Sequence, residues 1–371
     1  MIKILNVNSK KLLKKFIKFP YELYKNNPYF PKPLLIEQKE IFDFNSYPFF
    51  QHAKVKLFLA INEREEVAGR IAAIINYNHN KYWNENIGFF GFFETINNFE
   101  VVSLLFKEVE NWFKKEKIFI IRGPMNFSTN ETCGLLINAF DQIPSIMMPY
   151  NFEYYPLLLE QYGFQKIKDL FAFRKDELDL PERIKNFVNL IKNKYNVEIK
   201  KMDFKKFEEI KEMVKYIYNK AWEKNWGFVK MTDAELDYTL NNLKLIADPD
   251  LVNFAIINNE PVGFIAILPD INEILVKCNG RLTPLALYRI LTGIKKCKNI
   301  RCITMGVIEE YRSKGIDILL YYACYEGVKG KAYKYCEFSW ILEDNFNIIN
   351  VIRKINAYEY RRYRIYQKSI N

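Results

Sequence analysis

Two apolar periods alternate along this chain: a spacing of three and four residues marks helices, and alternation or short apolar runs mark strands. In the first half the pattern predicts a helix over 10–26, then a proline-punctuated connection through PYFPKPLL. AKVKLFLAIN and EVAGRIAAIINYN read as a hairpin and IGFFGFFE as a strand. Val102, Leu105, Phe106, Val109 and Phe113 stripe one helix face. IFIIRGPMN is then a strand, YYPLLLEQYGF a short helix and QKIKDLFAFRKD a strand.

After a charged junction near 174–186 that carries Pro181, a related order returns. Residues 181–193 read as a helix, VEIKKMDF as a strand, and 204–222 as a helix striped by Phe207, Ile210, Met213, Val214 and Ile217. A helix near 232–246 has Thr232 or Asp233 as its N-cap. LVNFAIINNEPVGFIAILPD reads as a hairpin turning at 258–260. A helix over 284–296 precedes the strand IRCITMGVI. Ile316, Leu319, Leu320, Ala323 and Cys324 stripe the next helix; KYCEFSWILE, NFNIINVIRKIN and AYEYRRYRIYQK complete the order as strand, helix and strand. The halves show little residue identity, so a duplication rests on element order alone.

Composition narrows the class. At 371 residues, 49% of them apolar, the chain suits about two domains, each with a buried core. No apolar run reaches the ~18 residues that cross a bilayer, and the expected compartment is the cytoplasm. Six cysteines without a C-x-x-C pair and only two histidines argue against a metal site and for reduced, buried thiols. The net charge of +11 favours an anionic partner, or serves solubility. The stretch KKLLKKFIKF sets Leu12, Leu13, Phe16 and Ile17 against lysines. Such a helix either lies on an anionic membrane or packs on the first sheet.

EEYRSKGID, from Glu309 to Asp317, joins a strand to a helix. A strand that turns tightly into a helix leaves backbone N–H groups aimed at whatever sits above the helix, and the dipole favours an anion there. Gly315 permits positive φ, and Arg312 and Lys314 add charge. The spacing matches neither a Walker loop nor a dinucleotide fingerprint, so the turn alone reads as an anion seat or a solvated basic turn.

In its place between fourth strand and third helix, VIEEYRSKGIDILL resembles the pyrophosphate loop of the GNAT N-acyltransferase superfamily, V-x-P-x-[YH]-[RQ]-x-x-G-x-[GA]. Val307, Tyr311, Arg312 and Gly315 match; Glu309 replaces the usual Pro and Asp317 the last Gly or Ala. The whole chain also resembles a bacterial tandem GNAT-like N-acyltransferase family, through NPYFPKPLL, PFFQHAKVKLFLA, GFFGFFE, GPMNFSTNETCGLL, MMPYNFEYYPLLLEQYGF and WILEDN. Related members are linked to long-chain N-acylation of lipid amines, including ceramide-type synthesis.

The resemblance implies an α/β (α+β) class with two GNAT-like domains, 1–176 and 177–371, each a mixed, mostly antiparallel sheet flanked by helices. It implies acyl-CoA as co-substrate, no metal, and an amine acceptor that is a small molecule or a lipid. Val307, Arg312, Ser313, Lys314, Gly315, Ile316 and Asp317 are the cofactor-binding residues it points to. Asp317 either caps the helix or repels phosphate. The matching stretch of the first half, TINNFE, has no Gly and no base, so one acyl-CoA site is expected, in the second half.

N-acylation needs a deprotonated amine, a polarised thioester carbonyl and a protonated leaving thiolate. The Tyr that often serves as the acid in GNAT proteins is missing: Arg353 and Leu159 fall at its place in the two halves. Tyr321, Tyr322 and Tyr325 read as packing residues. The densest polar cluster is RGPMNFSTNETCG. There Asn130 and Glu131 are catalytic candidates and Asn126 and Ser128 acceptor-binding ones, unless the side chains only satisfy their own loop. Glu343 and Asn345, in WILEDN, are the second-half counterparts, catalytic and acceptor-binding. His52 is an alternative base. Two other readings stay open: a Fem-type aminoacyl-tRNA-dependent transferase, and a GNAT-fold binding protein without chemistry.

Overall fold

The computed structural model describes residues 1–370. The chain forms two compact units: Met1–Leu170 with Asn272–Tyr288 and the C-terminal residues from Arg361, and Phe171–Ile271 with Arg289–Tyr360.

The elements in chain order are β1 (Lys3–Asn6), α1 (Lys10–Leu23), α2 (Leu35–Ile41), β2 (Ala53–Ile61), β3 (Val67–Asn76), α3 (Tyr77–Trp83), β4 (Gly88–Thr95), α4 (Phe99–Lys115), β5 (Ile120–Gly123), β6 (Leu135–Leu136), α5 (Tyr154–Gln161) and β7 (Gln165–Lys175). They continue with α6 (Glu182–Tyr195), β8 (Glu198–Lys201), α7 (Phe207–Ala221), α8 (Asp233–Lys244), β9 (Val252–Ile257), β10 (Glu260–Pro269), α9 (Asn272–Leu275), α10 (Pro284–Gly293), β11 (Asn299–Val307), α11 (Ile316–Val328), β12 (Tyr335–Leu342), α12 (Phe346–Lys354) and β13 (Tyr358–Ser369).

The first unit's sheet runs β1-β2-β3-β4-β5-β13. β1 to β4 are antiparallel neighbours and β4–β5 are parallel. Its core sets Phe90 and Phe93 against Val102, Leu105, Phe106, Val109 and Phe113, the stripe read in the sequence. The C-terminal strand enters this unit: Tyr366 to Ser369 pair antiparallel with Gly123 to Ile120. The second unit's sheet runs β7-β12-β11-β10-β9-β8, with β11–β12 parallel and β8 to β11 antiparallel. Residues 171–175 of β7 belong to this unit. Its core joins Phe207, Ile210, Val214 and Ile217 of α7 to the strands and to Ile316, Leu319, Leu320 and Cys324 of α11.

Local signals account for several of these elements. Asn258 and Asn259 both take positive φ, 51° and 65°, which suits a two-residue hairpin turn. Thr232 and Glu235 form a reciprocal capping box on α8. Five elements escaped the periodicity reading: β1, α2, α3, β6 and α9. β1 is four residues long with exposed ends, too short for alternation to register. α3 carries polar and aromatic residues without a stripe; its start is set by the Asn76 side chain, which accepts from the His79 N–H. β6 is only two residues long. Of the two readings of KKLLKKFIKF, packing holds: α1 buries Phe16, Ile17, Phe19 and Pro20.

Candidate active site

In the second unit β11 carries one extra residue. Ala266 of β10 pairs with Thr304 and Ile267 with Cys302, so Ile303 has no partner. The parallel ladder with β12 runs from Asn299/Tyr335 to Cys302/Phe338 and stops there. Beyond it, among the described residues, nothing but β10 bonds the backbone of Met305 and Gly306. Trp222, which follows α7, lies against this stretch: a Cβ on Gly306 would stand 2.2 Å from its ring. Tyr218 stacks on Trp222 with ring centres 5.1 Å apart.

From β11 the chain enters α11 through a short 3-10 turn, Glu309–Tyr311. Arg312 secures this loop from within: Nε donates to the Val307 carbonyl at 3.0 Å and Nη2 to the Ala221 carbonyl at 2.6 Å. Its role is therefore to pin the loop to the ends of β11 and α7. Ser313 and Gly315 both have positive φ, 60° and 79°. Successive N–H groups in such a turn converge as an anion nest. α11 begins with no side-chain cap, and no acceptor within the described residues takes the N–H of Ser313, Lys314, Gly315 or Ile316. Lys314 Nζ lies 4.5 Å from the Tyr311 ring centre. Glu309 is paired with Lys224 at 2.6 Å. Burial pushes the Asp317 carboxyl up, while the N–H groups of Ile318 and of Asp317 itself draw it down.

The first unit has the same irregularity. Arg70 pairs with Glu94 and Ala72 with Gly91, which leaves one extra residue in β4. The β4–β5 ladder has only two pairs, Gly88/Ile121 and Phe89/Arg122. Here the space beyond is filled. The Met125 N–H donates to the Phe90 carbonyl at 2.8 Å, and Asn126 Oδ1 accepts from the Phe92 N–H at 2.7 Å. Contact is so close that a Cβ on Gly91 would stand 1.9 Å from the Met125 carbonyl oxygen. α4 is capped by Asn98, whose side chain accepts from Glu100 and Val101. Glu94, near the end of β4, accepts from Tyr24 at 2.6 Å and Tyr155 at 2.8 Å, with Arg70 at 4.0 Å. Burial pushes its carboxyl up and Arg70 opposes this.

The remaining sequence candidates fall as follows. Ser128 Oγ accepts from the Asn130 N–H at 3.2 Å, and Glu131 Oε1 accepts from Tyr47 at 2.6 Å. With Asn126, these residues bond within the loop and to its surroundings in the first unit. Glu343 and Asn345 lie in the second unit, at the end of β12, so the catalytic candidates Asn130, Glu131 and Glu343 are divided between the units. Asn345 caps α12 by accepting from Ile348 at 3.3 Å. His52 packs edge-on to Phe49, ring centres 5.1 Å apart. The Arg353 guanidinium lies 5.9 Å from the Phe173 ring centre. Tyr321 packs on Phe338. All six cysteines are buried and outside any disulfide. Burial pushes the Cys302 thiol up to about 12. The described residues contain no metal-ligating cluster and no helix long and apolar enough to cross a membrane.

One polar cluster was missed. Glu337, almost wholly buried in β12, accepts from the hydroxyls of Ser339 and Tyr360. Arg301 Nε donates to Ser339 Oγ at 2.8 Å. Its signal in the sequence was a lone carboxylate inside the otherwise apolar strand KYCEFSWIL.

No known family profile matches the chain. Protein YghO of Escherichia coli is 32% identical over 366 residues, covering 96% of this chain and 93% of that one. The bacterial ceramide synthase of Caulobacter vibrioides is 30% identical over 381 residues, covering 100% and 98%. Among solved structures, a tandem GNAT protein from the clavulanic acid biosynthesis pathway superposes with a TM-score of 0.57 at 9% identity, covering 100% of this chain and 98% of that one. A GCN5-related N-acetyltransferase from Sphaerobacter thermophilus gives 0.51 at 11%, with 100% and 96% covered. At such identities the structures speak for the fold, which is that of GNAT transferases.

Proposed function

The chain belongs to the bacterial family of tandem GNAT-like N-acyltransferases, and from that premise we propose that it transfers an acyl group from acyl-CoA to the amine of a lipid acceptor. The observation that carries this reading is the second unit's open strand end beside an uncapped helix start. The pyrophosphate sits on the N–H groups of Ser313, Lys314, Gly315 and Ile316, with Lys314 adding charge. The pantetheine arm runs beside β11, where β12 no longer bonds it. A backbone N–H of Met305 or Gly306 then donates to the thioester carbonyl oxygen as charge develops there.

The amine nitrogen attacks the carbonyl carbon, the C–N bond forms, and the C–S bond breaks. One proton leaves the amine and one reaches the thiolate. Glu343, half-buried at the end of β12, is the carboxylate this reading assigns to the amine. Glu337 is occupied by Ser339 and Tyr360 and braces the strand. Asn130 and Glu131 enter no step here. A lipid acceptor is favoured by the relative described as a ceramide synthase.

The test is incubation with acyl-CoA of graded chain length and a long-chain amine, following thiol release and amide mass. Thiol release with a matching amide is expected. Absence of thiol release at every chain length overturns the reading.

A further inference from the structure

α10 is an apolar helix that the fold leaves uncovered. Of its ten residues only Ala286 is buried, with Ile290 and Gly293 partly so. Leu285 is 57% exposed, Leu287 45%, Tyr288 65% and Leu291 65%. Leu282, just before it, is also exposed. Ala286 and Ile290, four apart, mark the inward side; Pro284, Tyr288 and Leu291 fall opposite, with Leu285 beside them. Exposed leucines at this density are not solvated-face chemistry.

The stretch of chain that contains the helix carries charge of one sign. From Ile274 to Ile308 the chain has no Asp or Glu and seven Lys or Arg residues. Six of them, Lys277, Arg281, Arg289, Lys295, Lys296 and Lys298, are exposed. A second copy of the same helix would bring two basic collars together. A bilayer with anionic headgroups offers both complements, an apolar boundary for the leucines and phosphates for the collar.

We propose that α10 docks this protein on an anionic lipid surface, with Leu285, Tyr288 and Leu291 entering the headgroup boundary. α1 is not the docking element, because its apolar face is already buried. The exposed helix and the basic residues that flank it carry this inference, which stands apart from the acyl-transfer reading.

The test is cosedimentation of the full chain with vesicles of phosphatidylcholine and phosphatidylglycerol, mixed about three to one, against pure phosphatidylcholine. These lipids offer neither a thioester nor an acylatable amine. Binding is expected to the anionic vesicles only and to weaken as salt rises. The double variant Leu285→Glu with Leu291→Glu should bind at least about tenfold more weakly at unchanged melting temperature. Tyr288→Trp should show blue-shifted emission on the anionic vesicles. Four results overturn the proposal: no binding by the natural chain, undiminished binding by the double variant, loss of binding only with Lys11→Glu and Lys14→Glu, or a dimer that the double variant makes monomeric.

Discussion

In the first unit the extra residue of β4 lies beside Met125 and Asn126, which take the backbone groups of Phe90 and Phe92. In the second, among the described residues, β10 alone bonds the backbone of Met305 and Gly306 beyond the extra residue of β11. The helix that follows β4 is capped by Asn98, whereas the one that follows β11 starts bare on Gly315. One bulge thus serves two ends. Where a loop supplies the missing partners, the gap is structure; where none does, we propose a seat for an outside acceptor of N–H bonds.

The sharpest way to break this contrast is Gly315→Glu. Its φ of 79° disfavours any side chain, a Cβ would stand 2.6 Å from Ile191 Cδ1, and the carboxylate would occupy the anion seat. Loss of coenzyme A binding by at least about a hundredfold is expected in calorimetry, with the fold checked by circular dichroism. Gly91→Ala strikes the filled gap instead. It should lower stability by about 2–4 kcal/mol in denaturant titration and leave coenzyme A affinity unchanged. Asn126→Ala leaves the Phe92 N–H without its acceptor and should cost about 1–3 kcal/mol in the same titration. Asn98→Ala removes a cap and should cost about 1 kcal/mol, again without touching affinity.

Asp317→Asn should have the smallest effect and the one with a pH signature. Burial raises the Asp317 carboxyl above its unfolded value, so above the folded value its ionised form lowers stability. That penalty disappears as pH falls through the raised value toward the ordinary ~3.9. The variant should therefore melt higher than the natural chain at neutral pH, with the gain shrinking on acidification, and it should bind coenzyme A more tightly.

Much of this was legible before the structure. The Val102–Phe113 and Ile316–Cys324 stripes, the 258–260 turn and the Thr232 cap are local signals, and each became the element it predicted. Gly315 was legible because only a glycine eases that backbone. The use of Arg312 was not, because its partners are the carbonyls of Val307 and Ala221, and the latter lies 91 positions away. For Asn126 the sequence left two readings, acceptor-binding or loop-satisfying; its Oδ1 accepts from Phe92, which no spacing rule brings near. Nor does any periodicity show that the last strand pairs with Ile120–Gly123, since strand pairing is set by packing and not by order along the chain.

The most direct measurement is calorimetric titration of the full chain with a short acyl-CoA such as octanoyl-CoA, which gives affinity and stoichiometry together. A single site per chain is expected, lost in Gly315→Glu and kept in Asn98→Ala. Two equivalents per chain, or one that survives Gly315→Glu in a folded protein, would contradict the assignment of the open seat to the second unit.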